Sequence, residues 1–319
     1  MKALSTLAAS LPGDFPAPIF VVQHMAAETT GKVLVDVLGK RGALLCKQAE
    51  DGEKIRSGRI YVAVPDHHML ISGGRIIISK GARENRSRPA IDPLFRSAAV
   101  ESGSSVIGIV LTGFLNDGAS GLAAVQRCGG VCIVQDPKDA EYPEMPASAL
   151  DKIKADFCLP VSAIGACLAK LVAGPVPKRI SIPDDIAMEA KIAERVNSDV
   201  AAVEKLGEQV PFNCPNCGGV LWEIAKGSIL RYRCHTGHAY TSMVLETAQT
   251  KKIEETLWVA LRMLEERKNL FNKLAEPQSA GYLSGAREKA KESEVHINRI
   301  RAILLRSFGR GKTRPPSAA

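Results

Sequence analysis

The chain of 319 residues carries a formal net charge of +8, and 45% of its residues are hydrophobic, which is enough to bury a sizeable core. A chain of this length is expected to form more than one domain. It contains no apolar run long enough to cross a bilayer and no basic-then-apolar leader, so the sequence predicts a cytoplasmic protein without membrane insertion.

Residues 1–173 alternate apolar runs with helical patterns. The patterns predict strands over 16–22, 43–48, 59–64, 69–71, 76–79, 106–112, 131–135 and 157–159. They predict helices over 2–10, 31–38, 91–102, 121–128 and 146–153. Continuous Val/Ile runs between helices are typical of parallel strands that are buried on both faces. The sequence therefore predicts an α/β fold with a doubly wound, mostly parallel sheet.

The composition changes after residue 173. Residues 174–211 open with Gly174-Pro175-Val176-Pro177 and continue as a charged, alanine-rich stretch, which predicts a linker with a loose surface helix. A compact module rich in cysteine and histidine follows over 212–245.

Two amphipathic stretches complete the chain. Apolar residues at a spacing of three and four predict helices over 252–275 and 287–305, which would pair as an α-helical hairpin within 246–308. Residues 309–319 are expected to be a disordered tail. Much of the excess positive charge lies near this end, which indicates a solvated basic segment rather than a nucleic-acid arm.

The module at 212–245 contains two groups of soft metal ligands. Cys214 and Cys217 are two residues apart, and sixteen residues separate Cys217 from Cys234. This arrangement is typical of a closed tetrahedral zinc site. We predict His238 as the fourth ligand, because its spacing from Cys234 lets both reach one metal, whereas the adjacent His235 is expected to point away. Four protein ligands indicate a structural Zn²⁺, with no cofactor for catalysis.

Other interpretations of this module remain open. The cysteines could be free thiols in a small β-rich cap, while a redox pair is disfavoured because no thioredoxin-like βαβ pattern surrounds them. Basic residues interleaved with aromatic ones, as in Arg231-Tyr232-Arg233, and a pI near 9.1 make a zinc-dependent nucleic-acid binder a minor alternative. A module this small needs Trp222 and Tyr240 for its own core, which weakens that alternative.

His24 and Asp117 each follow a predicted strand, where a doubly wound sheet places its chemistry. An imidazole activates a hydroxyl when a carboxylate fixes its tautomer and stabilises its charged form. Gly113, Gly118 and Gly121 allow the loop around Asp117 to turn. Taken singly, a hydrogen-bonded structural histidine and an N-capping aspartate are the simpler interpretations.

Four segments are more specific: residues 20–25, 85–99, 111–122 and 135–146 resemble the CheB-type chemotaxis methylesterase domain. The resemblance covers nearly all of residues 1–173. It implies a Ser-His-Asp mechanism that hydrolyses glutamyl methyl esters on chemoreceptors, and in some members deamidates receptor glutamines. It implies His24 as general base and Asp117 as its orienting carboxylate. The Cys/His module resembles a C-terminal extension of stand-alone members.

The chain also departs from the family pattern. The family's nucleophile lies in a Gly-Ala-Ser-x-Gly-Gly loop just before the helix that here begins at the N-terminus, so the serine loop and its strand are expected to lie outside residues 1–319. Ser5 and Ser10 are poor substitutes, because they lie in a helical pattern without the glycines of a nucleophile turn. Gly113-Phe114-Leu115 stands where the family commonly has Gly-Met-Gly.

Two functions follow from these observations. The first is a methylesterase whose protein substrate is a methyl-accepting chemoreceptor, with a chemotaxis kinase or methyltransferase as a further candidate partner. The alternative is a catalytically inactive esterase-fold scaffold that docks receptors or signalling proteins. No receiver domain precedes the esterase domain in this chain, so the zinc module and the helical hairpin are expected to regulate or target it.

Overall fold

A computed structural model of the chain describes residues 1–175, 178, 180–194, 200–225, 227–277 and 284–307. These residues belong to two compact units, Met1–Leu245 and Glu246–Ala319. The helices are α1 Lys2–Ala9, α2 Lys32–Arg41, α3 Ile91–Ser102, α4 Ala119–Arg127, α5 Glu144–Lys152, α6 Val161–Ala173, α7 Asp184–Glu194, α8 Val200–Glu204, α9 Ser242–Leu274 and α10 Ala286–Ser307. The strands are β1 Ile19–Val21, β2 Leu45–Gln48, β3 Arg59–Val62, β4 His68–Ser72, β5 Arg75–Ser79, β6 Ile107–Val110, β7 Val131–Gln135, β8 Phe157–Leu159, β9 Glu208–Asn213, β10 Val220–Ile224, β11 Arg231–Cys234 and β12 Ala239–Thr241.

The parallel strands form two sheets, in the orders β1-β3-β2 and β6-β7-β8. The prediction of parallel α/β architecture is confirmed, but the single doubly wound sheet is corrected to two three-stranded ones. In the described part of the chain, β1 and β6 are each hydrogen-bonded on one side only, so the ladder is interrupted between them. Strands β4 and β5 form the predicted antiparallel hairpin, with Met69 opposite Ile78.

The two sheets nevertheless share one hydrophobic core. Residues of both sheets, such as Ile60 of β3 and Ile133 of β7, are fully buried in one cluster with residues of α1, α2 and α6. A second cluster joins β6 and β7 to α3, α4 and α5. Helices therefore cover both faces of the strands, which is why β6 and β7 are almost continuously apolar, whereas the outer strand β2 carries Lys47 and Gln48.

The segment predicted as a linker contains a packed helix. In α7, Ile186 is buried in the same core cluster as α4, and Glu189 is completely buried. Arg127 binds Asp185 with two hydrogen bonds of 2.7 and 2.9 Å. The prediction of a loose surface helix is wrong here, because Asp185 and Glu189 of α7 are buried and pair with arginines that lie far away in sequence.

The Cys/His module folds as a four-stranded antiparallel sheet in the order β12-β11-β10-β9. Trp222 and Ile224 of β10 pack in a small core with Val203 and Leu206. Trp222 and Tyr240 are thus used internally, as they are 6% and 3% exposed, whereas Phe212 of β9 is 42% exposed.

The second unit consists of the remainder of α9 together with α10. Leu261 of α9 packs with Ile297 and Leu304 of α10 in a small core. Lys268 and Glu294 form an ion pair of 2.6 Å between the same helices. None of the described helices combines the length and apolarity needed to cross a bilayer. The predicted tail at 309–319 lies outside the described residues, and the predicted domain boundaries stay predictions.

Candidate functional site

His24 and Asp117 lie in direct contact although 93 residues separate them in the sequence. His24 follows β1 and its side chain is 34% exposed, whereas Asp117 precedes α4 and its side chain is 3% exposed. The His24 Nε2 atom is 2.7 Å from Asp117 Oδ2. A carboxylate acceptor assigns the ring proton to Nε2, so Nδ1 is the nitrogen that can accept a proton.

The buried carboxylate of Asp117 also accepts hydrogen bonds from the start of α3. Its Oδ2 accepts from the Ile91 amide at 2.7 Å, and its Oδ1 accepts from the Asp92 amide at 3.4 Å and from Asn85 Nδ2 at 3.1 Å. The first amides of a helix have no partner inside it and carry partial positive charge. Asp117 therefore caps α3 and is held as an anion.

The pair shifts the ionisation of both side chains. Burial raises the pKa of Asp117, but the hydrogen bond and charge of His24, with the donors Ile91 and Asn85, outweigh it and lower the pKa. Burial lowers the pKa of His24, but the hydrogen bond and charge of Asp117, with the charge of Asp92, raise it above the usual 6.5. The site thus favours the imidazolium form, as a general base requires once it has taken a proton.

Asp92 makes the reciprocal contact to the loop of Asp117. Its Oδ1 accepts from the amides of Gly118 and Gly121 at 3.0 and 2.6 Å, at the start of α4. Asn85 Nδ2 joins the two carboxylates, since it also donates to Asp92 Oδ2 at 2.9 Å. Burial and the charge of Asp117 raise the pKa of Asp92 to about 7. Asp117 therefore caps the start of α3, and Asp92 caps the start of α4. These two sets of hydrogen bonds fix the loop that carries Asp117.

A buried ion-pair network lies next to this site. Glu84 pairs with Arg96 and, at 2.8 Å, with Arg233, while Glu189 makes hydrogen bonds of 2.5 and 2.6 Å to Arg231. Arg96 and Arg233 also approach Glu189 to 3.7 and 3.5 Å. Burial raises the pKa of Glu189, but the arginines outweigh it and lower the pKa to about 2. The network ties α3, α7 and β11 together.

The four predicted metal ligands come together in the module. The ligand atoms of Cys214, Cys217, Cys234 and His238 all lie within 4.8 Å of one another. The sulfurs of Cys217 and Cys234 are 3.7 Å apart, and Cys234 Sγ is 3.5 Å from His238 Nδ1. Bonds of about 2.3 Å to sulfur and 2.0–2.1 Å to nitrogen give similar separations in tetrahedral zinc sites. The residues present therefore fit a zinc ion, and His235 is outside this group of four.

An aromatic pair lies at the loop that carries Asp117. Phe114 and Tyr142 are 57% and 41% exposed, and their ring centroids are 4.2 Å apart. A Cβ atom on Gly113 would lie 2.1 Å from Met145 Sδ, so a larger residue here would have to displace the buried Met145 side chain. Leu115 has a left-handed φ of 62° where the family commonly has glycine. The departure from Gly-Met-Gly thus costs some backbone strain and adds an exposed aromatic side chain.

Ser5 of α1 and Ser10 at its C-terminal end are not hydrogen-bonded to the imidazole in the described part of the chain. Ser10 Oγ donates instead to the Leu7 carbonyl at 2.7 Å. Asn85 and Asp92 were not predicted as site residues from the sequence. Asp92 lies in the helix predicted over 91–102, and nothing in the local sequence reveals that its carboxylate faces the loop of Asp117.

Comparison with known proteins agrees with this geometry. Residues 1–168 match the protein-family model of the CheB methylesterase. The chain is similar to a candidate protein-glutamate methylesterase/protein-glutamine glutaminase of Leptospira interrogans, with 38% identity over 172 residues, 54% of this chain and 89% of that protein. It is similar to the protein-glutamate methylesterase/protein-glutamine glutaminase of Maricaulis maris, with 35% identity over 177 residues, 54% of this chain and 44% of that protein. The crystal structure of the Thermotoga maritima CheB methylesterase catalytic domain shares 35% identity and a TM-score of 0.51, and the match covers 53% of this chain and 92% of that one.

Proposed function

Because this chain belongs to the CheB methylesterase family, we propose that it is a protein-glutamate methylesterase that hydrolyses glutamyl methyl esters on chemoreceptors and deamidates receptor glutamines. The observation that carries the proposal is the 2.7 Å contact between His24 Nε2 and Asp117 Oδ2 inside the matched region. The chemistry follows from that contact, since an oriented imidazole needs only a hydroxyl and an ester to complete acyl transfer.

In the proposed reaction, a serine oxygen attacks the carbonyl carbon of the ester while His24 Nδ1 takes the hydroxyl proton. The charged imidazole is stabilised by the Asp117 carboxylate and then gives its proton to the departing methoxide, so methanol leaves and an acyl-enzyme remains. Water attacks the acyl-enzyme and loses a proton to His24; the bond between the acyl carbon and the serine oxygen then breaks, His24 returns the proton to that oxygen, and the glutamate carboxylate is released with the enzyme regenerated. The Gly-Ala-Ser-x-Gly-Gly motif of the family does not occur within residues 1–319.

The test is to express the protein from its native locus, determine its intact mass, and assay release of methanol from methylated receptor. A mass above 34.1 kDa together with esterase activity supports the proposal. His24→Ala is then expected to lower turnover by on the order of 10³-fold or more. Full activity in that variant would show that His24 is not the base. A mass of 34.1 kDa with no activity, but retention of a receptor in a pull-down, would favour the inactive scaffold.

We also propose that Cys214, Cys217, Cys234 and His238 bind one structural Zn²⁺, supported by the convergence of their ligand atoms within 4.8 Å. Metal analysis of the purified protein should find about one zinc per chain, and Cys234→Ser should lose it. A cytoplasmic location agrees with thiolate ligands, which require a reducing compartment. A metal content unchanged by the substitution would refute the assignment.

The nucleic-acid alternative is not supported by the described residues. Trp222 and Tyr240 are buried and unavailable for stacking on bases. Arg231 and Arg233 are paired with buried glutamates instead of facing solvent. A basic patch interleaved with aromatics exists in the sequence but not on the surface of the module.

A further inference from the structure

We propose that strand β12 of the Cys/His module is part of the support of the catalytic pair: Thr241 positions Asn85, which donates to the Asp117 carboxylate, and Asn116, which directly precedes Asp117 in the chain. This inference rests on the proposed function, because it concerns the residues that would carry the reaction. Thr241 lies outside residues 1–168, which match the methylesterase family. The support is thus supplied by the part of the chain that the family match leaves out.

The first connection runs through Asn85. Its backbone amide donates to the Ala239 carbonyl at 2.8 Å, and its side-chain Oδ1 accepts from the Thr241 amide at 3.3 Å. Because Oδ1 is used in this way, the Nδ2 group must face Asp117 and Asp92 and can donate to both carboxylates. A reversed amide would place an oxygen against two carboxylates. The backbone of β12 therefore selects the amide orientation that the acidic pair needs.

The second connection runs through Asn116, the residue directly before the catalytic aspartate. Its Nδ2 donates to Thr241 Oγ1 at 2.7 Å, across 125 residues of sequence. Asn116 is 6% exposed, and its Oδ1 has no hydrogen-bond partner among the described residues. Among the described residues, the hydrogen bond to Thr241 is thus the one that holds this side chain, and it fixes the backbone that carries Asp117.

The segment before Asn85 is attached to the same module. Glu84 forms a parallel bridge with Ala239, and its carboxylate binds Arg233, which in turn donates to the Gly237 carbonyl at 3.0 Å. These residues are buried, so if β12 shifted, water could not replace the hydrogen bonds that they would lose. The position of the module is therefore transmitted to Asn85 and to the Asp117 loop.

The experiment measures the titration of His24 by NMR of the ring nitrogens, with residues 1–319 intact. The variant is Thr241→Val, which keeps the shape of the side chain and removes the hydroxyl. The conservative Thr241→Ser restores the hydroxyl. Ser242→Ala is the matched control, because it removes a neighbouring hydroxyl that donates to the Leu230 carbonyl at 3.3 Å and does not touch either asparagine.

We expect Thr241→Val to lower the pKa of His24. Without its anchor the Asp117 loop is less well fixed, so the hydrogen bond from His24 to Asp117, which raises the pKa, becomes weaker, while burial still lowers the pKa. The charged groups that act on His24 are Asp117 and Asp92, and neither is altered by the substitution. Thr241→Ser should restore the wild-type titration, and Ser242→Ala should leave it unchanged. A wild-type His24 titration in folded Thr241→Val would overturn the proposal.

A second variant covers the event that Thr241→Val does not fold, since Thr241 Oγ1 also accepts from the Val244 amide at the start of α9. Asn116→Ser removes the anchor without touching that helix start, and it should lower the pKa of His24 in the same way. An unchanged titration in folded Asn116→Ser would also overturn the proposal.

The titration does not require turnover, so it is independent of whether the protein is an esterase. In protein with measurable activity, Thr241→Val should lower kcat by on the order of tenfold or more while KM changes little, since a misplaced catalytic group slows the chemical step. Activity with an unperturbed kcat in that variant would count against Thr241 and leave the proposed function standing.

Discussion

The substitution Asp117→Asn tests the site most directly, because no orientation of the new amide satisfies its neighbours. If the amide oxygen keeps the position of Oδ2, it still accepts from Ile91 and His24, but the NH₂ group then faces Asn85 Nδ2 and the Asp92 amide. If the amide is reversed, the NH₂ group faces the Ile91 amide and the His24 ring. In either orientation, the NH₂ group of the new asparagine faces another N–H donor instead of an acceptor.

The size of the effect follows from these contacts. A buried donor without an acceptor costs about 1–3 kcal/mol, and relief of the repulsion between Asp117 and Asp92 offsets part of this, so we expect the free energy of unfolding to fall by roughly 1–2 kcal/mol. Burial remains the main influence on His24 once the carboxylate is gone, so its pKa should fall from above to below the usual 6.5. Turnover should drop by on the order of 10⁴-fold, because the imidazole loses its tautomer and its counter-charge.

Three measurements examine the reasoning: urea unfolding for stability, NMR titration for His24, and methanol release for turnover. Glu144→Gln is a suitable control, since its carboxylate binds the Leu115 amide in the same loop but does not contact the imidazole. A His24 pKa in Asp117→Asn at or above the wild-type value would refute the account of the pair.

Three further predictions follow from the same contacts. The pKa of His24 is raised in the folded state, so the stabilisation that comes from its pairing with Asp117 is fully present below the unfolded pKa. This stabilisation is lost as pH rises through the folded pKa. Denaturation measured across pH 5–9 should show the loss in wild type and not in Asp117→Asn. Glu189→Ala leaves Arg231 buried without its partner and should lower the free energy of unfolding by about 3–5 kcal/mol in denaturant titration, whereas the exposed Glu255→Ala should change it by less than about 1 kcal/mol. Removal of the proposed zinc by a strong chelator should lower the pKa of His24, because β12 directly follows His238, one of the four proposed ligands; an unchanged titration in chelator-treated protein that stays folded would show that the proposed metal site and the His24–Asp117 pair are independent.

Local sequence patterns predicted the elements that are set by burial periodicity. Helix α3 and strands β7 and β8 have the bounds that the sequence predicted. The two strands are short, largely apolar runs next to turn residues, and α3 ends where Gly103 follows its last residue. Helix α9 begins ten residues earlier than predicted, at Ser242, since the first turns of a helix beside a folded module do not show an exposed-helix pattern. Helix α6 was not predicted at all.

Some residues of the candidate site could be selected from the sequence, and others could not. His24 and Asp117 could be selected because strand ends and a family resemblance point to them, and the four metal ligands could be selected from their spacing. Asn85 could not, because its role depends on a left-handed backbone with φ of 48° and on contacts with residues more than 100 positions away.

The sequence by itself determined the α/β class and the soft-ligand module, because periodicity and short-range spacing encode them, and it selected His24 and Asp117 through the resemblance to a known family. Only the tertiary structure decided that the module is joined to the Asp117 loop through Thr241, and that the charged segment around Glu189 contains buried residues. The physical reason is that a buried polar group is stable only with its partners, and those partners come from segments whose encounter no local pattern records.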